Sequence, residues 1–409
     1  MITLNFLGGA REVGRSSVLL DGKIMLDCGI KLHSGESPEP PLAAAPEAAI
    51  ISHAHLDHSG FSPALFAGGN VIECFATPPT VDLCELLLRD TLKIQKLNRY
   101  KLFSSGSLKR WKENVKALPY NMRIEWRGYE FGFGDAGHIP GSAWIEVIKG
   151  GKKIVYSGDY KLEDTLLMKK GTVPKNVDIL MTESTYSRRE HPDRDQLVKQ
   201  ILEETKMTFE NGGCALFPAF ALGRSQELAI MLSKLDIPFY IDGMAKSACE
   251  IAMEYPEYVR NFDELYRALK KAMWVGKNMD RDEILKEPCA IITTAGMLEG
   301  GPVLEYIFKL NQNSRIFITG YQVKGTKGYE LLNTGSITID GERRKVKTPW
   351  AHYDLSAHAG RSQLFEFVKG ANPQKVFCMH GDSCESFAQE LKEMGFDAYA
   401  PQVGEAFEI

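Results

Sequence analysis

Three of the nine histidines in this 409-residue chain fall within segment 53–58, which reads His-Ala-His-Leu-Asp-His. The segment follows an apolar run that predicts a buried strand. Imidazole and carboxylate groups together suit zinc and similar cations. His53 and His55 can point to one side of an extended segment, and Asp57 and His58 to another. We therefore expect one short loop to serve two metal ions. The alternative, a polar loop with three unrelated histidines, is disfavoured because the cluster is so compact.

Other candidate residues also stand where an apolar run ends. They are Asp27, His138, Asp159, Glu183, His358 and His380. Because α/β proteins place their chemistry at strand ends, this repetition predicts that the residues converge on one site. Two roles stay open for Asp27: a turn carboxylate, or a partner that supports a metal-binding histidine. His358 alone would be interpreted as a buried core histidine, but its place in the series favours a functional role.

Composition favours a cytoplasmic protein without disulfide bonds or a membrane span. The eight cysteines are scattered without a C-x-x-C pair, which argues for reduced thiols in a cytoplasmic protein and against a disulfide framework. No apolar run approaches the length needed to span a bilayer, and the first residues lack the basic region of a signal peptide. The net charge of −4 means that nucleic-acid binding must depend on a local basic surface.

One such surface is predicted in the segment 78–118, which we expect to be helical. Its basic residues are Arg89, Lys93, Lys96, Arg99, Lys101, Lys109, Arg110, Lys112 and Lys116. Tyr100, Phe103 and Trp111 are interleaved with them, and basic charge beside aromatic faces suits single-stranded nucleic acid. A solvated amphipathic helix is the alternative, and this segment alone favours it.

A second region begins after the charged, turn-rich residues 187–195. From 196 to 340 apolar runs alternate with helical stretches, which predicts a doubly wound α/β domain. Several of its strand-to-helix turns contain glycine and could present backbone amides to a phosphate, although each turn alone is a weak signal.

In its ordered motifs the sequence resembles the metallo-β-lactamase-fold nucleases of the β-CASP family. The series is Asp27, His53, His55, Asp57, His58, His138, Asp159, Glu183, His358 and His380, and it spans nearly the whole chain. The stretches 217–224, 294–298 and 320–322 agree as well. Residues 11–17 resemble the branch with the endonuclease subunit of the cleavage and polyadenylation specificity factor, more than the ribonuclease J branch. No N-terminal extension for KH domains is present, so we expect the short archaeal form.

The resemblance implies a fold and a division into domains. Residues 1–185 and 343–409 would form a four-layered αββα metallo-β-lactamase domain. Residues 186–342 would be an inserted, doubly wound α/β β-CASP domain. A cleft between the two domains would admit a flexible single strand and exclude a rigid duplex.

The resemblance also implies roles for individual residues. His53, His55 and His138 would hold one zinc ion, Asp57, His58 and His380 a second, and Asp159 would bridge them. Asp57 counts as a catalytic residue as well as a ligand. Glu183 and His358 would form the general-acid pair that protonates the departing 3′ oxygen. Candidates for gripping RNA phosphates are Arg224, Thr294, Gly296, Tyr321, Lys93, Lys96 and Arg99.

The function that follows is hydrolysis of single-stranded RNA by a hydroxide that two zinc ions activate, in RNA processing or decay. We expect endonucleolytic cutting, with 5′-to-3′ exonuclease action as a further mode. We expect no membrane partner, and either a homodimer or association with RNA-processing subunits. Two alternatives stay open: a hydrolase of a small thioester or ester, and a non-catalytic RNA-processing scaffold.

Overall fold

The computed structural model describes residues 1–32, 37–276 and 279–409, which divide into two units. The first unit contains residues 1–164, 169–190 and 357–409, and the second contains 165–168 and 191–356. Within the described ranges, no helix combines the length and the apolar character that a membrane crossing requires.

The first unit begins with strands and helices that extend to Glu183. They are β1 (Thr3–Gly8), β2 (Ser17–Leu20), β3 (Ile24–Leu26), β4 (Ala48–Ile50), α1 (Leu56–Ser59), β5 (Glu73–Ala76), α2 (Pro78–Leu97), α3 (Ser105–Asn114), β6 (Val115–Ala117), β7 (Arg123–Trp126), β8 (Tyr129–Asp135), β9 (Ala143–Lys149), β10 (Lys152–Tyr156) and β11 (Ile179–Glu183).

The second unit follows in the chain. Its elements are α4 (Arg194–Glu210), β12 (Ala215–Pro218), α5 (Arg224–Leu232), β13 (Phe239–Asp242), α6 (Ala245–Glu254), α7 (Phe262–Lys271), β14 (Met273–Trp274), α8 (Arg281–Ile284), β15 (Ala290–Thr293), α9 (Val303–Tyr306), β16 (Arg315–Ile318), α10 (Lys327–Thr334), β17 (Ser336–Ile339), β18 (Glu342–Lys345) and β19 (Trp350–His352). The first unit is completed by α11 (Arg361–Ala371), β20 (Lys375–Met379), α12 (Cys384–Glu393), β21 (Asp397–Tyr399) and β22 (Ala406–Glu408).

Two seven-stranded sheets form the centre of the first unit, as far as its described residues show. Their strand orders are β22-β1-β2-β3-β4-β5-β6 and β21-β20-β11-β10-β9-β8-β7. The hairpin between β2 and β3 turns at Asp21 and Gly22, whose φ values of 51° and 68° match the turn that an Asp-Gly pair favours. Apolar residues of both sheets, such as Phe6 and Phe131, share one buried cluster, so the sheets pack face to face.

Helices cover the outer faces of these two sheets. Helices α2 and α3 contact β6 and β5 of the first sheet. Residues of α11 and α12, such as Phe367 and Phe387, pack with Val155 and Leu180 on the outer face of the second sheet. The predicted four-layered αββα arrangement is therefore confirmed.

The second unit is built on a six-stranded sheet in the order β14-β13-β15-β12-β16-β19. All of its neighbouring strands are parallel, and helices such as α4, α5 and α7 pack on it. Parallel strands buried on both faces are typical of α/β folds, and the near-continuous apolar run of β12 shows the pattern. The predicted doubly wound α/β insertion is confirmed.

Some boundaries differ from the sequence-based prediction. Strand β19 pairs in parallel with β16, so residues 350–352 belong to the sheet of the second unit. The stretch 78–118 is not one helical segment, because residues 98–104 separate α2 from α3 and residues 115–117 form β6 beside β5. Short β6 could be mistaken for a helix end because its exposed lysine and its flanking residues continue the charged pattern of α3.

Candidate metal centre

The candidate ligands follow strands that end at common edges of the sheets. In the first sheet, β3 and β4 are parallel neighbours and lead to Asp27 and to the segment 53–58. In the second sheet, β10, β11 and β20 are parallel neighbours and lead to Asp159, Glu183 and His380. Strand direction alone therefore gathers residues that are far apart in sequence.

Three groups of side chains meet at Asp159, and the ligand atoms within each group lie within 4.8 Å of one another. The groups are His53, His55 and His138 with Asp159; Asp57, His58 and His380 with Asp159; and Glu183 and His358 with Asp159. The structure thus brings together every residue that the sequence analysis assigned to the metals and to the acid pair.

The two carboxylate oxygens of Asp159 face different histidines. Oδ2 lies 3.6 Å from Nε2 of His53 and 3.9 Å from Nε2 of His138. Oδ1 lies 3.3 Å from Nε2 of His58 and 3.7 Å from Nε2 of His380. Each oxygen therefore belongs to a separate half of the cluster, as a bridging ligand requires.

Asp27 supports His58 from behind. Its Oδ2 lies 2.6 Å from Nδ1 of His58 and accepts hydrogen bonds from the hydroxyls of Ser52 and Tyr156 at 2.7 and 2.9 Å. Its Oδ1 accepts from the Ser52 backbone amide at 2.7 Å. Because a carboxylate only accepts, Nδ1 of His58 carries a proton and its Nε2 is turned toward Asp159. Of the two roles considered for Asp27, this geometry supports the histidine partner.

Two other histidines are oriented in the same way. Nδ1 of His138 lies 2.9 Å from the carbonyl oxygen of Ala357, so that nitrogen must be the donor. Nδ1 of His380 lies 2.6 Å from the hydroxyl of Ser16. In both rings the Nε2 atom is left to face the cluster, and such outer contacts hold a metal-binding ring in place.

The pKa values of the first histidine group favour neutral rings. Burial, reinforced by the neighbouring histidines, lowers the pKa of His53 and of His138 well below the usual value. Burial also lowers the pKa of His55, to about 4. Because the neutral imidazole is the form that binds a cation, these rings are ready to act as ligands near neutral pH.

His58 and Asp159 show opposite shifts. Burial acts to lower the pKa of His58, but the carboxylates of Asp159 and Asp27 outweigh it and raise that pKa well above its usual value. Burial acts to raise the pKa of Asp159, but His58 and His380 hold it well below its usual value. A divalent cation here competes with the proton on His58, so metal binding should weaken as the pH falls.

Buried atoms without partners show that this donor set fits metal ions. Nε2 of His53, His58 and His380 and Oδ1 of Asp159 have no hydrogen-bond partner among the described residues. A buried polar atom left unsatisfied costs about 1–3 kcal/mol. Four such atoms on one cluster of imidazole and carboxylate donors are explained if they bind zinc or a similar cation.

The Glu183–His358 pair stands beside this cluster. Nδ1 of His358 lies 3.1 Å from Oε2 of Glu183 and 3.8 Å from Oδ2 of Asp159. Burial acts to lower the pKa of His358, but Glu183 and Asp159 outweigh it and raise that pKa to about 9. The side chain is 21% exposed, whereas Glu183 is 1% exposed. The raised pKa favours the protonated form of this partly accessible imidazole at neutral pH.

Of the predicted phosphate-binding residues in the second unit, Arg224 is buried and hydrogen-bonded, whereas the others lie in loops that follow strands. Arg224 is buried, and its guanidinium bonds Glu227 at 2.6 Å and the carbonyl of Leu355, which argues against a phosphate-binding role. Thr294 and Gly296 follow β15, and Tyr321 follows β16. The side-chain amide of Gln322 donates to the carbonyls of Gly296 and Gly320 at 3.0 and 3.1 Å. These two loops are therefore tied together, and their contact with RNA stays a prediction.

The basic segment of the first unit gives mixed support for RNA binding. Lys93, Lys96 and Arg99 are exposed at the end of α2 and just beyond it. Trp111 is fully buried and Phe103 is 3% exposed, so neither ring can stack on a base. RNA binding by the three basic side chains stays a prediction. Base stacking on Phe103 and Trp111 is no longer part of it.

Ser16 and Lys161 are among the residues that contact the site and were not singled out from the sequence. Ser16 bonds His380, and its only signal was its place in the stretch 11–17 that carries the family resemblance. Lys161 is fully buried two residues after Asp159, with its amine near the carbonyl of His358. A lysine after a strand end suggests a surface charge, so nothing local indicated its burial.

Comparisons with known proteins find two family domains in this chain. A β-CASP domain model matches residues 225–331, and a model described as the Zn-dependent metallo-hydrolase RNA specificity domain matches residues 343–401. A solved structure of a protein of unknown function from Enterococcus faecalis V583 is similar in fold, with a TM-score of 0.65 at 14% identity over 99% of both chains.

Several archaeal proteins are similar along nearly the whole chain. The protein named Probable RNase MJ4 of Methanocaldococcus jannaschii is 35% identical, covering 99% of both chains. The RNase aCSPSF2 of Saccharolobus solfataricus is 34% identical over 99% of this chain and 85% of its own length. The transcription termination factor FttA of M. jannaschii is 31% identical over 96% of this chain and 69% of its own length.

Proposed function

Because this chain belongs to the β-CASP family of metallo-hydrolases, we propose that it is a zinc-dependent ribonuclease that hydrolyses phosphodiester bonds in single-stranded RNA. One observation carries the proposal: Asp159 turns its two oxygens to two histidine groups, beside the Glu183–His358 pair. Similar proteins named as RNases, which match almost the whole chain, support RNA as the substrate.

Two zinc ions are the proposed cofactors. His53, His55 and His138 would hold one ion, Asp57, His58 and His380 would hold the other, and Asp159 would contribute to both. The unpartnered buried atoms of this cluster support the assignment. When bound, the ions would lower the pKa of water and neutralise negative charge at the phosphate, which is the chemistry that phosphodiester hydrolysis needs.

The chain's own residues would supply the proton that the departing 3′ oxygen needs. Burial opposes the charged form of His358, but Glu183 and Asp159 outweigh it, and the raised pKa favours a protonated imidazole at neutral pH. With Nδ1 held by Glu183, its Nε2–H is the proton that can be donated. Glu183 is bonded by the Tyr160 amide at 2.9 Å, so the acid is oriented by a fixed carboxylate.

The alternative functions receive less support. A hydrolase of small thioesters or esters has no need of the residues that match the β-CASP model or of the Glu183–His358 pair. A non-catalytic scaffold has no need of a complete ligand set, yet each of the seven proposed ligand positions carries a histidine or an aspartate. We propose a cytoplasmic location, supported by eight buried cysteines that are all free thiols. Association as a homodimer or with RNA-processing subunits also stays a proposal.

Product analysis on defined RNAs tests the proposed function. Zinc-loaded protein is incubated with a single-stranded RNA in linear 5′-monophosphate, linear 5′-triphosphate and circular forms, and with a generic thioester. We expect the circle to be cut and the thioester to survive, with Asp159→Ala inactive on every substrate. Thioester hydrolysis without RNA cleavage would favour a hydrolase of small thioesters or esters. Cleavage of the linear monophosphate alone would mean end-dependent exonuclease action.

A further inference from the structure

Lys161 is a fully buried lysine in the first unit that the proposed mechanism does not yet use. Its amine lies 3.3 Å from the backbone carbonyl oxygen of His358 and 3.2 Å from a carboxylate oxygen of Glu163. Lysine is almost never fully buried unless its charge is paired. A methionine of similar length would fill the same space without the cost of desolvating an ammonium group, so packing alone does not explain the charge.

The backbone of Lys161 is fixed on both sides. Its amide donates to the carbonyl of Ala136 at 2.9 Å, and its carbonyl accepts from the amide of Gly171 at 2.7 Å. The neighbouring chain is so close that a Cβ on Gly137 would lie 2.7 Å from the Lys161 carbonyl oxygen. The side chain therefore extends from a rigid base, and its amine can hold a partner in one place.

One partner of the Lys161 amine is the backbone carbonyl of the proposed acid. Two successive carbonyls are held by side chains of the first unit: Ala357 by Nδ1 of His138 at 2.9 Å, and His358 by the amine of Lys161 at 3.3 Å. The His358 ring, in turn, meets Glu183 at 3.1 Å. The acid is thus held at its backbone by one side chain and at its ring by another.

We propose that Lys161 is a positioning residue that fixes the His358 backbone, so that the imidazole keeps its proton-donating geometry. The proposal rests on the proposed function, because it assumes that His358 is the general acid. Lys161 is not one of the side chains whose ligand atoms converge on Asp159, so its effect should be separable from metal binding. A misplacement of about 1 Å at a reacting group can cost about 100-fold in rate.

Substitution of Lys161 tests the proposal in solution. We expect Lys161→Met to keep zinc content and RNA affinity while lowering the single-turnover rate by about 10- to 100-fold. Lys161→Arg keeps a cationic donor and should recover part of the loss. If Lys161→Met fails to fold, Lys161→Arg still tests the proposal. The control is Lys375→Met, which removes a partly exposed lysine of β20 that is paired with Asp397 of β21. The control should cleave at the normal rate. Loss of zinc in both Lys161 variants would overturn the proposal.

A double-mutant comparison separates positioning from general stability. In a His358→Ala background, Lys161→Met should lower the rate no further, because the group that it positions is gone. A merely structural role predicts an additional loss of the same size in both backgrounds. Glu163→Gln, which removes the charge of a carboxylate that the amine contacts, should have a small effect. An effect as large as that of Lys161→Met would assign the role to the ion pair instead.

A crystal structure of zinc-loaded Lys161→Met decides the proposal without any assay on RNA. We expect the segment 356–360 to shift and the hydrogen bond between His358 and Glu183 to lengthen or break. An unchanged His358 would overturn the positioning role. Absence of RNA cleavage by the wild-type protein would count against the proposed function alone, since the geometry of His358 can be measured in either case.

Discussion

Asp159 is the residue on which both proposed metal positions depend, because each of its oxygens faces a different histidine group. Asp159→Ala should therefore lower zinc content from about two equivalents to less than one and abolish activity. Elemental analysis of protein purified without chelators measures this. Asp397→Ala, which removes an aspartate paired with Lys375, is the control and should keep its zinc. A reproducible single equivalent in the wild-type protein would contradict the two-metal assignment.

His358 and His380 are predicted to fail in different ways, although both lie in the first unit. His358→Ala should keep zinc and RNA affinity and lose about 10²–10⁴-fold in rate, the range for a missing general acid. His380→Ala should lose zinc together with activity, because its Nε2 faces Asp159 and Asp57. Zinc content, RNA affinity and single-turnover rate are measured for each variant. If His358→Ala lost zinc, that histidine would be a ligand; a full cleavage rate would show that the proton comes from elsewhere.

At the scale of elements, helices α4 and α5 of the second unit are joined by a buried charge network. Glu227 on α5 bonds Arg194 on α4 at 2.6 Å and Arg224 on its own helix at 2.6 Å. Burial acts to raise the pKa of Glu227, but the two arginines outweigh it and lower that pKa. Because the folded-state pKa is depressed, the carboxylate stabilises the fold above its unfolded pKa. That stability is lost as the pH falls through the folded-state value.

Glu227→Gln should therefore destabilise the protein at neutral pH by about 3–5 kcal/mol, the cost of leaving buried arginines without their carboxylate. The difference from the wild-type protein should shrink at acidic pH, because the wild-type carboxyl is protonated first in the unfolded state and then, at a lower pH, in the folded state. Denaturant unfolding at both pH values measures it, with the exposed Glu203→Gln on α4 as the control. A difference that does not depend on pH would mean that packing, and not charge, explains the loss.

The exposed end of α2 carries the remaining prediction about RNA binding. Changing Lys93, Lys96 and Arg99 together to glutamine should weaken binding and flatten its salt dependence, because fewer counterions are released. Three lost phosphate contacts would lower the slope of log affinity against log salt by about 2. Binding is measured at several salt concentrations. An unchanged slope would identify this surface as an ordinary solvated helix face.

For the molecule as a whole, the sequence predicted the features that short stretches of residues determine, namely the strands and the side chains at their ends. Each ligand ends an apolar run, so strand ends and the site they form could be anticipated. Partners that only the fold brings together could not be anticipated. Strand β19 pairs with β16 of the second unit, and the buried Lys161 meets the carbonyl of His358. Trp111 stands among charged residues, yet the fold buries it completely. Arg224 was predicted to bind phosphate, but its guanidinium bonds Glu227 and Leu355.

In the proposed reaction water, and not a group of the RNA itself, attacks the phosphorus. Cleavage of a single-stranded RNA by zinc-loaded protein in ¹⁸O-labelled water tests it directly, with mass spectrometry of both fragments. We predict a 3′-hydroxyl on the upstream fragment and a 5′-phosphate with one solvent-derived ¹⁸O on the downstream fragment, because the 3′ oxygen departs with a proton from His358. A 2′,3′-cyclic phosphate, or a 5′-phosphate without label, would show that water is not the group that attacks the phosphorus.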